Sequence, residues 1–215
     1  MRQLYALATV LFSLATGVFA QEEQAIYRIS VAFDWQGGAA EGHPVDRHWS
    51  RLIAVAHSPR YAVFRDGDTA SSGLALVATN GRVAVLEAEL AEARRRGRAG
   101  PAVVKPGLDG GQGTFTFELA VDSRLSRISF ATMLAPSPDW FSGASGVALR
   151  PEDVWVQSLE VPLWVWDAGA DSGADFVGPN VETQPRQSVR LLTHPAFLRP
   201  EGMRPIGVAT FTKVE

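Results

Sequence analysis

Between Ile26 and Trp35 the side chains alternate: Tyr27, Ile29, Val31, Phe33 and Trp35 fall on one face, Arg28, Ser30 and Asp34 on the other. Helical side chains repeat about every 3.6 residues and strand side chains every two, so only a half-buried strand keeps this apolar set on one side. The same period recurs in Phe115, Phe117, Leu119 and Val121, in Ile128, Phe130, Thr132 and Leu134, and in Ile206, Val208, Thr210 and Thr212. The segment Val154 to Trp166 is apolar on both faces in places and holds three of the six tryptophans, which predicts a central strand covered on both sides. Pro162 lacks a donor and is expected to mark a bulge or bend in it.

The period changes in the middle of the chain. Val83, Leu86, Leu90 and Ala93 recur at helical spacing, with Asn80 as the expected N-cap, Glu92 placed to pair with Arg96, and Gly97 as the stop. A shorter helical turn is expected after Ser71-Ser72, through Leu74 and Val77. The stretch from Gly97 to Gly113, rich in Gly and Pro, reads as an exposed loop. Strands at both ends around this middle predict an all-β chain: an antiparallel β-sandwich with a small helical insertion, without internal repeats or a dividing linker.

Residues 1–20 carry Arg2, an apolar run from Leu4 to Val18, and small-residue punctuation before Gln21. This pattern predicts a secretory signal peptide over 1–20, leaving a single domain over 21–215, with a retained membrane anchor as the other reading. Both imply export. The chain has no cysteine, which excludes disulfides and thiolate metal ligands. Its net charge of −3 gives no electrostatic reason to expect nucleic acid. The cluster Arg94-Arg95-Arg96 with Arg98 closes the expected helix, where cations complement the dipole.

Two short segments concentrate chemistry. Ser137-Pro138-Asp139-Trp140 and the run from Trp166 through Asp167, Gly169 and Asp171 to Gly173 each place aspartate among turn residues beside tryptophan. Asp167 and Asp171 stand four apart in a stretch too rich in Gly for a helix. A loop there can aim both carboxylates and several carbonyls at one centre, as calcium requires with its six to eight oxygens and tolerant geometry. The absence of His or Cys in these segments argues against zinc or copper. It is not an EF-hand, because Gly178 occupies the twelfth position, where an acidic chelator is required, so a third carboxylate must come from elsewhere, with Asp139 the candidate. Three carboxylates within about 4 Å would repel by roughly 4 kcal/mol per pair at an effective dielectric near 20 and need a cation or protons. The same residues also fit ordinary turns in which aspartate accepts backbone N–H groups.

The motif Ala135-Pro136-Ser137-Pro138-Asp139-Trp140-Phe141-Ser142-Gly143, followed by Trp166 to Gly173, resembles the spondin domain family. So do Tyr27 to Ser30, His43-Pro44, the segment His48 to His57, Gly73-Leu74, Pro179-Asn180, Pro185, and Leu191 to Pro195. The resemblance implies an antiparallel β-sandwich from extracellular matrix and adhesion proteins, with calcium held by Asp139, Asp167 and Asp171. Ala170 stands where the family usually has threonine, and Asp175 is an extra acid that assists the site or faces water. The animal proteins add further modules and disulfides that this chain lacks, so adhesion to animal receptors does not carry over, and a bacterial envelope is the expected setting.

Enzymatic readings are weaker. Gly143-Ala144-Ser145-Gly146-Val147 misses the serine-hydrolase elbow at Val147. The histidines at 43, 48, 57 and 194 match no zinc spacing. A hydrolase would have to rest on Glu41, His43 or His57. The sequence therefore predicts a secreted or cell-envelope, calcium-binding, non-enzymatic module. Its loops would recognise a surface glycan, lipid head group or protein, with Trp140 and Phe141 as exposed aromatics beside the aspartates. A purely structural envelope or matrix role with a stabilising calcium ion is the alternative.

Overall fold

The computed structural model describes residues 24–36, 42–199 and 202–215. The expected signal peptide and Glu41 lie outside them. In chain order the strands are β1 (Gln24–Asp34), β2 (His48–Trp49) and β3 (Leu52–His57), then the helices α1 (Ser72–Asn80) and α2 (Ala84–Arg95). There follow β4 (Ala99–Lys105), β5 (Leu108–Asp109), β6 (Gln112–Asp122), β7 (Arg127–Ala135), β8 (Trp140–Ala148) and β9 (Ser158–Asp167). The chain ends with β10 (Arg190–Leu191), β11 (Leu198–Arg199), β12 (Gly202–Met203) and β13 (Gly207–Lys213).

Eight of these strands form one antiparallel sheet in the order β4-β3-β7-β8-β9-β13-β1-β6, with β10 on β9 and β2 and β5 at the β7 end. The sheet folds back on itself as a nearly closed sandwich, so side chains of its two halves meet: Phe130 of β7 lies 6.5 Å, ring to ring, from Phe211 of β13. Strand β9 is the seam. Its first part, Ser158 to Leu163, pairs with β13, and its last part, Trp164 to Asp167, pairs with β8. Pro162 is therefore not at a bulge. It stays in register opposite Val208, and its missing donor falls on the β8 side, one step before that pairing begins at Trp164. In the C-terminal part of β9 only alternate residues are buried, so the strand is covered on one face and the expected double cover is not realised; Trp164 and Trp166 on the other face are half-buried.

The alternating residues of β1 and β6 are buried as their period requires. In β13 the core face is the other one: Ala209 and Phe211 are fully buried and Val208 is exposed, because its pairing with β1 sets Phe211 opposite the buried Ile29. A second apolar layer lies between the outer face of β3 and β7 and the two helices, with Leu74, Val77, Leu86 and Leu90 against Ile53, Val55 and Ala131.

Ser71 caps α1 by accepting Leu74 N–H at 3.1 Å. Asn80 ends α1 rather than opening α2; Gly81, at φ 69°, turns the chain, and the Asn80 side chain accepts Arg82 N–H at 3.3 Å instead. Glu92 pairs with Arg96 at 2.7 Å and also with Arg95, and Gly97, at φ 67°, ends α2. The segment from Gly97 onward is not a loop. It forms β4 at a sheet edge, where Pro101 costs nothing because an edge strand has one side without ladder bonds. Among the described residues no helix is long and apolar enough to cross a membrane.

The helices approach most closely at Gly73, where an added Cβ would lie 2.5 Å from Leu86 Cα. Gly73→Ala is expected to destabilise the protein by about 2 kcal/mol by overpacking, read from the urea midpoint. An unchanged midpoint would mean that α1 is free to move away.

Candidate functional site: a buried aspartate holding two loops

Three segments meet at one end of the sandwich: the β7–β8 turn, the turn following β9, and the chain returning into β10. Sheet pairing sets the first contacts, with Trp140 opposite Asp167 and Arg190 opposite the same Asp167. Asp139, one residue before β8, is fully buried, and Asp167 and Asp171 are nearly so. The Asp139 Oδ2 accepts the backbone N–H of Ala170 at 2.6 Å and of Asp171 at 3.0 Å. Its Oδ1 is buried and has no hydrogen-bond partner.

The other two carboxylates are engaged differently. Asp167 Oδ1 accepts Gly169 N–H at 2.7 Å, and its Oδ2 accepts from the Arg190 guanidinium at 2.9 and 3.2 Å. Asp171 Oδ1 accepts Gly173 N–H at 2.8 Å, and both its oxygens accept from Val181 N–H, at 3.1 and 3.0 Å. Gly169, at φ 69°, makes the turn, and a Cβ there would meet the Gln187 carbonyl oxygen at 2.4 Å. The turn reading of these aspartates is thus realised at the backbone, while the three carboxylates also collect in one place.

Burial, and then the charge of Asp167, push the Asp139 carboxyl up to about 6, against the two backbone amides that favour its charged form. A buried carboxylate oxygen without a donor, with a second aspartate close enough to raise its pKa, is a group that takes up a proton or a cation. Hard oxygen donors suit calcium. In this conformation, among the described residues, no group of three Asp, Glu, His or Cys side chains is arranged to hold a metal ion. The cation that the structure brings to the cluster is Arg190, which sequence spacing did not single out. Only the pairing of β10 with β9 places it there.

Asp175 does not join the cluster; it is exposed, with its Oδ1 3.8 Å from His194 Nε2. Trp140 and Phe141 are not exposed. Trp140 packs on Phe176 and His194, at 5.0 and 4.9 Å between ring centroids, and Phe141 on Phe64 at 5.0 Å beneath the helices. His43 is buried and accepts from Trp35 Nε1 at 2.9 Å. His57 is fully buried in β3, 2.6 Å from Ser129 Oγ, and Gly143 to Val147 lie within β8, where the register with β7 shifts at Ser145-Gly146 and Gly146 takes φ 71°. His43 and His57 therefore both sit inside the fold rather than at a cleft.

The Spondin_N family model matches residues 25–201, which include all three aspartates. The chain belongs to the spondin N-terminal domain family. Spondin-2 of Rattus norvegicus and of Homo sapiens are each 32% identical to it over 202 residues, covering 87% of this chain and 61% of theirs. Spondin-1 of Gallus gallus is 34% identical over 194 residues, covering 82% of this chain and 23% of its own. This spondin domain thus spans about three fifths of the one relative and under a quarter of the other.

The Asp139 environment carries a pH signature. Its folded pKa lies above the unfolded value of about 3.9, so proton uptake adds stability in full below about pH 4, and that increment, about 3 kcal/mol, is lost as pH rises through about 6. Asp139→Asn, neutral throughout, is expected in chelator to match the native chain at pH 4 and to exceed it by up to that amount at pH 7.5. Denaturant unfolding at both pH values measures this. Equal stabilities at pH 7.5 would show that Asp139 carries no unpaid charge.

Proposed function

We propose that this spondin-type domain is an exported, non-enzymatic binding module of the cell envelope or the extracellular space, and that one calcium ion clamps its aspartate loops. The observation that carries the ion is the Asp139 Oδ1, a buried carboxylate oxygen without a donor beside the charge of Asp167. Asp139 would bind through that oxygen, and Asp167 and Asp171 through lone pairs that the amides and Arg190 leave free, since each ionised carboxylate offers about four. Calcium supplies only charge neutralisation and a cross-link between the β7–β8 turn and the turn after β9. The ion and a proton compete for Asp139, so binding weakens as pH falls through about 6.

Export is supported by the signal-peptide pattern of residues 1–20 and by membership of the spondin family. A non-enzymatic role is supported by the burial of His43 and His57 within the fold. Whether the clamp serves recognition or only the assembly of an envelope or matrix depends on whether the domain binds a partner.

The test of the clamp is thermal unfolding at pH 7.5 with calcium or with chelator. A site saturated about a hundredfold above its dissociation constant adds about 2.7 kcal/mol, a rise of several degrees in Tm for a domain of this size. The double variant Asp167→Asn, Asp171→Asn is expected to lose the shift. The same Tm with and without calcium in the native chain would remove the ion from the proposal.

A further inference from the structure

Away from the aspartates, the outer face of the β8–β9 pair holds a groove of about 350 Å³. Pro162, Trp164 and Trp166 of β9 line one side, Gly143, Ser145 and Val147 of β8 the floor, and the segment Phe64 to Asp66 the far wall. Trp164 is half-buried, and its partner across the pair is Gly143, which has no side chain to lay over the indole. Trp166 is held edge to face by Phe64 at 5.4 Å, and its Nε1 is buried with no acceptor.

The polarity of Ser145 follows from a chain of hydrogen bonds. His57 Nδ1 lies 2.9 Å from the Ser58 carbonyl oxygen and so carries the ring proton; burial holds His57 below its usual pKa and keeps it neutral. Its Nε2 must then accept, and Ser129 donates to it at 2.6 Å. With that hydroxyl hydrogen committed, Ser129 accepts from Gly146 N–H at 2.8 Å and from Ser145 at 3.2 Å. Ser145 has therefore spent its only donor, and its oxygen, which accepts Phe64 N–H at 3.3 Å, retains one lone pair.

The groove thus offers an open aromatic face on Trp164, a serine oxygen in need of a donor, and the opposite charges of Arg65 and Asp66 at its rim, while the buried Trp166 N–H lies out of reach of a ligand. An apolar ligand would leave the serine lone pair unpaired, and the opposite charges of Arg65 and Asp66 favour neither an anion nor a cation. A ligand with a C–H face for the ring and an edge of hydroxyls that both donate and accept satisfies all of these. We propose that this groove binds the neutral pyranose rings of a polysaccharide, with one ring stacked on Trp164. The inference rests on the reading of the domain as a binding module, but not on calcium, since none of the three aspartates lines the groove.

The test titrates the purified protein with hexasaccharides of β-1,4-linked glucose, N-acetylglucosamine, xylose and mannose and of α-1,4-linked glucose, following tryptophan fluorescence. At least one is expected to saturate, with the dissociation constant raised about tenfold by Trp164→Ala and largely restored by Trp164→Phe, as loss and return of an aromatic stack imply. Ser145→Ala is expected to weaken binding several-fold, about the effect of one lost hydrogen bond. Melting curves confirm that each variant is folded. Binding that survives chelator, below the melting temperature, supports the groove whatever the fate of the ion. No saturation with any of the five sugars, or native affinity in folded Trp164→Ala, overturns it, and a calcium-dependent Tm would then leave the clamp standing without this ligand.

Discussion

The Asp139 carboxylate is the point on which this end of the molecule turns. One of its oxygens holds the amides of Ala170 and Asp171 and so ties the turn before β8 to the turn after β9. The other is buried with nothing to accept from. Desolvating a carboxylate is costly, and two amides on a single oxygen do not offset it while Asp167 stands nearby. Arg190 relieves Asp167, to whose Oδ2 both of its guanidinium bonds go, rather than Asp139. A cation or a proton at Asp139 would complete the balance, so the proposed ion and pH would act on the same carboxylate.

The sheet prepares this arrangement. Because β9 changes partners midway, from β13 to β8, its last residue emerges beside the start of β8, and Asp167 comes to lie next to Asp139. Pro162 sits where the ladder bond is absent anyway, so the change of partner needs no bulge. The same seam creates the groove on the outer face, since β8 carries Gly143 and Ser145 where it runs beside Trp164. The aspartate loops and the indole face are thus two products of one strand exchange, at different places along β9.

Much of this was readable in the residues. The period of two in β1 and β6 is unbroken and shows directly as burial, and the helical spacing of Leu86, Leu90 and Ala93 reappears on the buried face of α2. The three aspartates stood out because Gly and Asp gather around them, and each is buried and accepts backbone N–H groups of the turn after β9. What sequence could not show depends on long-range pairing. The face of β13 follows from its register with β1, Arg190 reaches Asp167 only through β10, and Pro101 reads as a loop signal until β4 is seen at an edge. Trp140 and Phe141 seemed surface residues because they adjoin polar turns, yet each plugs an aromatic cluster.

Calorimetric titration of the chelator-stripped protein with calcium at pH 7.5 and at pH 5 tests the central claim most directly. The account predicts one site per chain at pH 7.5, weaker at pH 5 and lost in Asp139→Ala. Absence of a saturable heat at pH 7.5, or a site that persists without the Asp139 carboxylate, would contradict it.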